Sequence, residues 1–375
     1  PIHLVPLNIL LGMVLLLCNG RFRLEFNSLF ASWLLVFCFQ FALLSISLTL
    51  DAINNGEDFT SVTRIIKPLY SLFFLFVGYN LTFSYEQFEK LIEKYFKVVL
   101  LITLIIASYE IFLIQDGSFF YSLFKSEERA ILNRKSTSWF GVSYYHSFYF
   151  FLFFIHYFVF FIKRSQKSFP LIASFILVLA SQSRTLIISM FLLIFFVFLY
   201  EFIKRPKVIV KIGIVSALVF ILLFLYGEEV FEHLWYVMVT FDTGPMAFIL
   251  KWSNSVRVEQ IISSIDAQFY FFGGGLGRGV PLESVHASYL YRFGLFWTFL
   301  FMFFYMFIGF YFMKVAKNRL MFISVGLFWI MTPISMFASP MIEFPKINFI
   351  LFLITGYLIR NINSTKPLFN IPKDI

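Results

Sequence analysis

Apolar runs of roughly membrane-spanning length recur along the whole chain, near residues 4–19, 29–50, 65–83, 97–115, 139–162, 168–182, 185–203, 207–226, 286–313, 319–338 and 346–360. A backbone surrounded by hydrocarbon must satisfy its own polar groups, so runs of this length predict helices. The expectation is an all-α integral membrane protein with about eleven transmembrane helices, one polytopic domain over residues 1–375. Composition agrees, because only 14% of the residues are charged, whereas soluble domains carry about a quarter. The 57 phenylalanines are lipid-compatible bulk, read first as codon bias, and no function follows from their number. Cys18 and Cys38 both fall inside apolar runs, where a thiol acts as a small hydrophobe, so neither a disulfide nor a redox role is expected. The first run, Leu4 to Cys18, has no basic leader and no small-residue cleavage site, and is taken as a first span.

Orientation follows from the basic residues. If the loop with Arg21 and Arg23 is cytoplasmic, alternation puts 18 of the 30 Lys and Arg residues on that side, with 6 of the 21 acidic ones. Such a bias predicts the N-terminus outside and the C-terminus inside. The net charge of +9 is then a topogenic signal beside anionic lipid, and membrane lipids rather than nucleic acid are the expected partners. Three segments remain outside: Asp51 to Arg64, Asp116 to Ser138, and residues 227–285. The third is the extracytoplasmic loop large enough to carry a site.

Chemistry is best sought where polarity survives in so apolar a chain. The longest such interruption, Asn254 to Trp297, holds Arg257, the turn Gly273-Gly274-Gly275-Leu276-Gly277, and Ser284-Val285-His286-Ala287-Ser288-Tyr289. Val258, Ile261, Ile262, Ile265 and Phe269 recur at helical spacing, which predicts a short amphipathic helix on the outer face of the bilayer, with Arg257 on its polar side. The glycines do not match the dinucleotide spacing and read as a flexible turn where the chain re-enters the membrane. His286 stands where the next helix begins. Glu283 and Tyr289, three residues before and after it, would share its side, whereas Arg292 would point elsewhere as a packing or counter-charge residue.

Arg184, in Ser181-Gln182-Ser183-Arg184-Thr185, lies at the outer turn between two runs. Its guanidinium suits either a lipid phosphate or a substrate diphosphate, since it can donate two parallel bonds to phosphate oxygens. Glu110 is the only acidic residue well inside a run, near its outer end, and His146 lies near the outer start of the next. Either can line a shared cavity or reach interfacial water. Arg129, Arg134 and Lys135 form a basic cluster in the second outer segment, and Arg278 follows the glycine turn. Walker loops, paired-aspartate metal motifs and Cys/His clusters are absent from the sequence, so neither a metal nor a cofactor is expected.

Taken in order, Ser183-Arg184-Thr185, Arg257 with its amphipathic segment, Gly-Gly-Gly-Leu-Gly, then His286 and Tyr289 opening a long apolar run with Gly294, resemble the bacterial O-antigen polymerase and O-antigen ligase superfamily. The likeness covers residues 181 to about 300; the earlier half agrees only in helix number and hydrophobicity. The resemblance implies a metal-independent, inverting glycosyltransferase of GT-C architecture in the bacterial inner membrane, working at the periplasmic face on oligosaccharide carried by undecaprenyl diphosphate. It assigns the working roles to Arg184, Arg257 and His286, and implies a chain-length regulator and a flippase as partner proteins. Spacing alone adds Glu283 as a group to hold the imidazole, with Tyr289, Arg278, Glu110, His146 and Arg134 as candidate lining of the vestibule. The outer loop is short for a ligase, and Ala287 rather than Asn follows His286, so polymerase is favoured over ligase. From another class, a lipid-linked oligosaccharide flippase would also be a Phe-rich bundle; it would place polar groups at the midplane and often show inverted repeats, and none is found here.

Overall fold

A computed structural model describes residues 4–19, 26–55, 62–112, 136–140, 142–164, 168–204, 258–259, 261–262, 271–275, 285–316, 319–338 and 344–362. Among them the regular structure is entirely helical. The α-helices are α1 (Leu4–Asn19), α2 (Ser28–Asn55), α3 (Val62–Asn80), α4 (Tyr85–Phe112), α5 (Ser143–Arg164), α6 (Ser168–Ala180), α7 (Arg184–Lys204), α8 (Val285–Phe293), α9 (Leu295–Val315), α10 (Leu320–Ser335) and α11 (Pro345–Arg360). Two 3₁₀ turns, Ser138–Phe140 and Met336–Ala338, precede α5 and follow α10. Among the described residues, three stretches are long and apolar enough to cross a membrane: Ser28–Leu50, Ser143–Lys163 and Leu295–Val315. Along α9 the large apolar side chains left exposed include Phe296, Phe299, Leu300, Phe303, Phe307 and Phe310. That spacing lines one helical face, an apolar stripe suited to lipid.

Every expected run except 207–226, which lies outside the described residues, coincides with a helix, but two boundaries differ. The segment with Lys90, Lys94 and Lys97, expected as a loop, is instead the first half of α4. A reciprocal cap starts it: the Ser84 hydroxyl accepts from the Gln87 amide at 3.3 Å, and the Gln87 side chain accepts from the Ser84 amide at 3.1 Å. The expected single run 286–313 is broken into α8 and α9 at Gly294, whose φ of 85° side-chain-bearing residues rarely adopt.

α5 is the central post, with Phe150, Phe151, Phe153, Ile155 and Tyr157 fully buried against α6, α7, α10 and α11. Where α2, α9, α10 and α11 meet, aromatic rings do the packing: Trp33 lies 5.2 Å from Trp329, and Tyr305 lies 5.4 Å from Trp329. Two of the three have their polar atoms paired, Trp329 with the Thr355 hydroxyl at 3.1 Å and Tyr305 with Gln40 at 3.0 Å, while the Trp33 indole nitrogen is buried without a partner among the described residues. Part of the aromatic excess is therefore interhelical packing, beyond the lipid-compatible bulk expected from composition.

The bundle has two polar ends. At one, the Tyr85 hydroxyl accepts from the Met321 amide, Arg319 stacks over the Tyr85 ring, and the Tyr357 hydroxyl and Arg360 donate to the carbonyls of Phe83 and Leu81. Asn27 belongs here too. Its side-chain oxygen accepts from the Phe30 amide at 2.9 Å and caps α2, while its amide nitrogen donates to Ile359 O at 2.8 Å. Asn27→Ala removes cap and tie together, for an expected loss of about 2 kcal/mol; a thermal unfolding curve in detergent indistinguishable from wild type would contradict this.

Candidate functional site

The opposite end is built around Glu110. It sits in the last turn of α4, 8% exposed, where a lone carboxylate would be strongly unfavourable. Three consecutive residues supply what it needs. Oε2 accepts from the Ser136 hydroxyl at 2.7 Å, the Thr137 amide at 3.1 Å and the Ser138 amide at 3.0 Å; Oε1 accepts from the Thr137 hydroxyl at 2.9 Å. Four donors converge on two oxygens, the arrangement an acceptor-only group requires.

Ser138 turns the segment onward with a left-handed φ of 41°. Its hydroxyl lies 2.7 Å from Nδ1 of His146, in the first turn of α5, whose Nε2 lies 3.0 Å from Leu177 O. A carbonyl can only accept, so Nε2 carries the proton, and in the neutral ring Nδ1 accepts from the Ser138 hydroxyl. His146 is fully buried by these contacts. The Ser136 amide donates to Ala180 O at 2.8 Å, which binds the same segment to the last residue of α6.

From Ala180 the chain passes directly into the Ser181–Arg184 turn. Gln182 has a left-handed φ of 52° and donates its amide to Leu179 O at 2.8 Å; the Ser181 hydroxyl donates to Val178 O and accepts from the Ser183 amide. Ser183 O accepts from the Ile187 amide, so Ser183 caps α7 and Arg184 is its first residue. The side chain of Arg184 lies outside the described residues.

His286 is half-buried in the first turn of α8, its ring 5.5 Å from that of Phe337 in the Met336–Ala338 turn. Nδ1 of His286 and the hydroxyl of Ser288, the latter residue 1% exposed, are buried with no hydrogen-bond partner among the described residues. The far end of α8 is held by the glycine run. The Gly274 amide donates to Tyr291 O at 2.7 Å, and the Ser47 hydroxyl donates to Arg292 O. A carbon added at Gly273 would fall 2.1 Å from Tyr291 O. The run is therefore, at Gly273 and Gly274, a close-fitting cap on a broken helix, where the sequence suggested a pliable re-entry turn. Tyr289, expected to line a vestibule, is 2% exposed and packs its ring against Phe293 and Phe301. It belongs to the hydrophobic interior.

The fold thus gathers Glu110, His146, the Ser181–Arg184 turn and His286 at one end of the bundle. The Met336–Ala338 turn touches both α7 and α8. Arg257, Glu283, Arg278 and Arg134 lie outside the described residues, as do Arg129 and Lys135. Of the expected amphipathic helix, residues 258–259 and 261–262 are described, and they are helical. Ser136, Thr137 and Ser138, which do the joining, escaped the sequence reading: a short polar triplet before an apolar run looks like any helix entry. Ser47 escaped it for a similar reason, being a small residue inside apolar surroundings. Among the described residues, His, Cys, Asp and Glu nowhere gather in threes as metal ligands would. Hydroxyls, a helix start and an imidazole are what this end offers, a set suited to binding an anion and accepting a proton. No protein-family model, curated protein or solved structure matches the chain.

Proposed function

We propose that the chain is a surface-polysaccharide polymerase of the O-antigen type, an eleven-span GT-C glycosyltransferase of the bacterial inner membrane. It moves oligosaccharide units between undecaprenyl-diphosphate carriers at the periplasmic face. The observation that carries the reading is that the Ser181–Arg184 turn and His286, far apart in sequence, sit on helices that share the Met336–Ala338 turn. The order of motifs supports it independently, as does the grouping of Arg319 and Arg360 at the other end of the bundle, as a cytoplasmic face would have it.

In the proposed reaction a hydroxyl of the acceptor sugar attacks the anomeric carbon of the donor. The bond from that carbon to the diphosphate oxygen breaks, and the carrier diphosphate leaves with the electron pair. Arg184 and Arg257 stabilise the charge that develops on it, in a partly dehydrated site where fixed donors act strongly. His286 takes the proton from the attacking hydroxyl, or orients that hydroxyl; its Nδ1 is buried and has no hydrogen-bond partner among the described residues, which leaves its acceptor capacity unspent there. Glu283 is placed by spacing to hold the ring. No step calls for a metal.

A ligase would use the same donor and differ in acceptor, taking lipid A core. Purified protein given synthetic undecaprenyl-diphosphate oligosaccharide should build ladders on the carrier, with or without added core. A shifted core band in place of ladders would make the protein a ligase. Sugar carried across liposomes without elongation would make it a flippase.

A further inference from the structure

We propose that Glu110 and His146 are positioning residues for the Ser181–Arg184 turn, which they hold through Ser136–Ser138; the inference rests on the reading of that turn as the diphosphate site. Neither side chain is placed to touch a substrate, since Glu110 is 8% exposed and His146 fully buried. What they touch is the chain leading to the turn. Glu110 takes four bonds from residues 136–138, His146 takes the Ser138 hydroxyl and donates to Leu177 O, and Ser136 donates to Ala180 O. Three helices, α4, α5 and α6, are thereby locked at the point from which α7 departs.

Strain marks the same place. Ser138 and Gln182 are the only non-glycine residues with left-handed backbone among those described. One lies in the Glu110 knot and the other in the turn, one residue beyond the neighbour of Ala180. Such conformations cost about 1 kcal/mol or more each and persist where the surroundings over-determine them, commonly at sites where geometry matters. Apolar side chains would tie α4 to α6 without burying a carboxylate. A carboxylate with four donors adds direction, because its bonds are satisfied in one arrangement of the segment only.

The substitutions separate direction from bulk. Glu110→Leu removes every acceptor. Glu110→Gln keeps an oxygen for the three Oε2 donors and turns its amide toward the Thr137 hydroxyl, which can reverse and accept. Glu110→Leu and His146→Phe are expected to lower kcat about 100-fold with KM held within about threefold, as a displaced catalytic group does. Glu110→Gln should restore kcat to within about tenfold of wild type. Hydrogen exchange supplies a readout independent of turnover: amides of residues 181–184 should exchange faster in Glu110→Leu and His146→Phe, with those of α11 unchanged.

If Glu110→Leu fails to fold, Ser138→Ala, which deletes only the hydroxyl on His146, carries the same test. Unchanged exchange at 181–184 in His146→Phe and Ser138→Ala overturns the proposal, as does equal loss of kcat in Glu110→Gln and Glu110→Leu. Should wild type build no ladders while the exchange result holds, the glycosyl-transfer reading fails and the mechanical link between Glu110 and the turn stands.

Discussion

Gly356→Leu is expected to leave almost no folded protein, and Gly356→Ala to cost about 3 kcal/mol, the upper end for overpacking. Gly356 is where α11 meets α3 backbone to backbone. A carbon added there would lie 2.0 Å from Leu75 O, and one added at Gly78 would lie 1.9 Å from Leu353 O. No side chain is available to move aside, so the helices themselves would have to part. Parting them strains the ties at the Tyr85 end, where Tyr357 and Arg360 of α11 donate to Phe83 and Leu81 and Asn27 donates to Ile359. In lipid the loss is not recovered, because helices there associate through close packing and hydrogen bonds rather than through escape from water. Leu101→Ala, on an exposed face of α4, is the control and should extract and melt like wild type. Gly356→Leu recovered from detergent at wild-type yield, with an unchanged melting temperature, would contradict the crossing.

Helix positions were legible in this chain for one physical reason: long apolar runs admit little else. Legibility failed where helices continue past the apolar run. Residues 85–97 are amphipathic and helical, and the Ser84–Gln87 cap that starts them is a local signal that the hydropathy reading passed over. The break at Gly294 was hidden because its immediate neighbours Phe293 and Leu295 are apolar, and a single glycine inside an apolar run is compatible with a continuous helix.

The candidate site was legible only in parts. Glu110 and His146 stood out as polar groups in apolar runs, but their connection runs through residues 136–138, 26 or more positions beyond Glu110. Hydroxyl-bearing residues carry no periodic pattern that would announce a partner at that distance. The glycine run misled in a specific way. Glycine signals freedom of the backbone when read alone, yet at Gly273 the absent side chain makes room for the Tyr291 and Arg292 backbone. Sequence records that a side chain is missing; the reason lies with whatever occupies its space.

Arg184→Ala and His286→Ala are both expected to leave the protein inserted and abundant while ladder formation stops. Abundance should survive because alanine suits both helix starts. His286 is half-buried, with Nδ1 unpartnered among the described residues, and the backbone carbonyl of Ser183 accepts the first bond of α7. Activity should not survive. Deleting one donor to a developing oxyanion costs about 10²–10³ in kcat, and a general base contributes about 10²–10⁴. Arg184→Lys keeps the charge but loses the paired, planar donors, so it should fall between wild type and Arg184→Ala. The measurement is the ladder assay on purified variants at matched concentration, with size-exclusion profiles to establish that the folded fraction is equal. Ladders from both alanine variants at wild-type rates would falsify the assigned roles, since a site that turns over without its leaving-group clamp and without its imidazole is working with other residues.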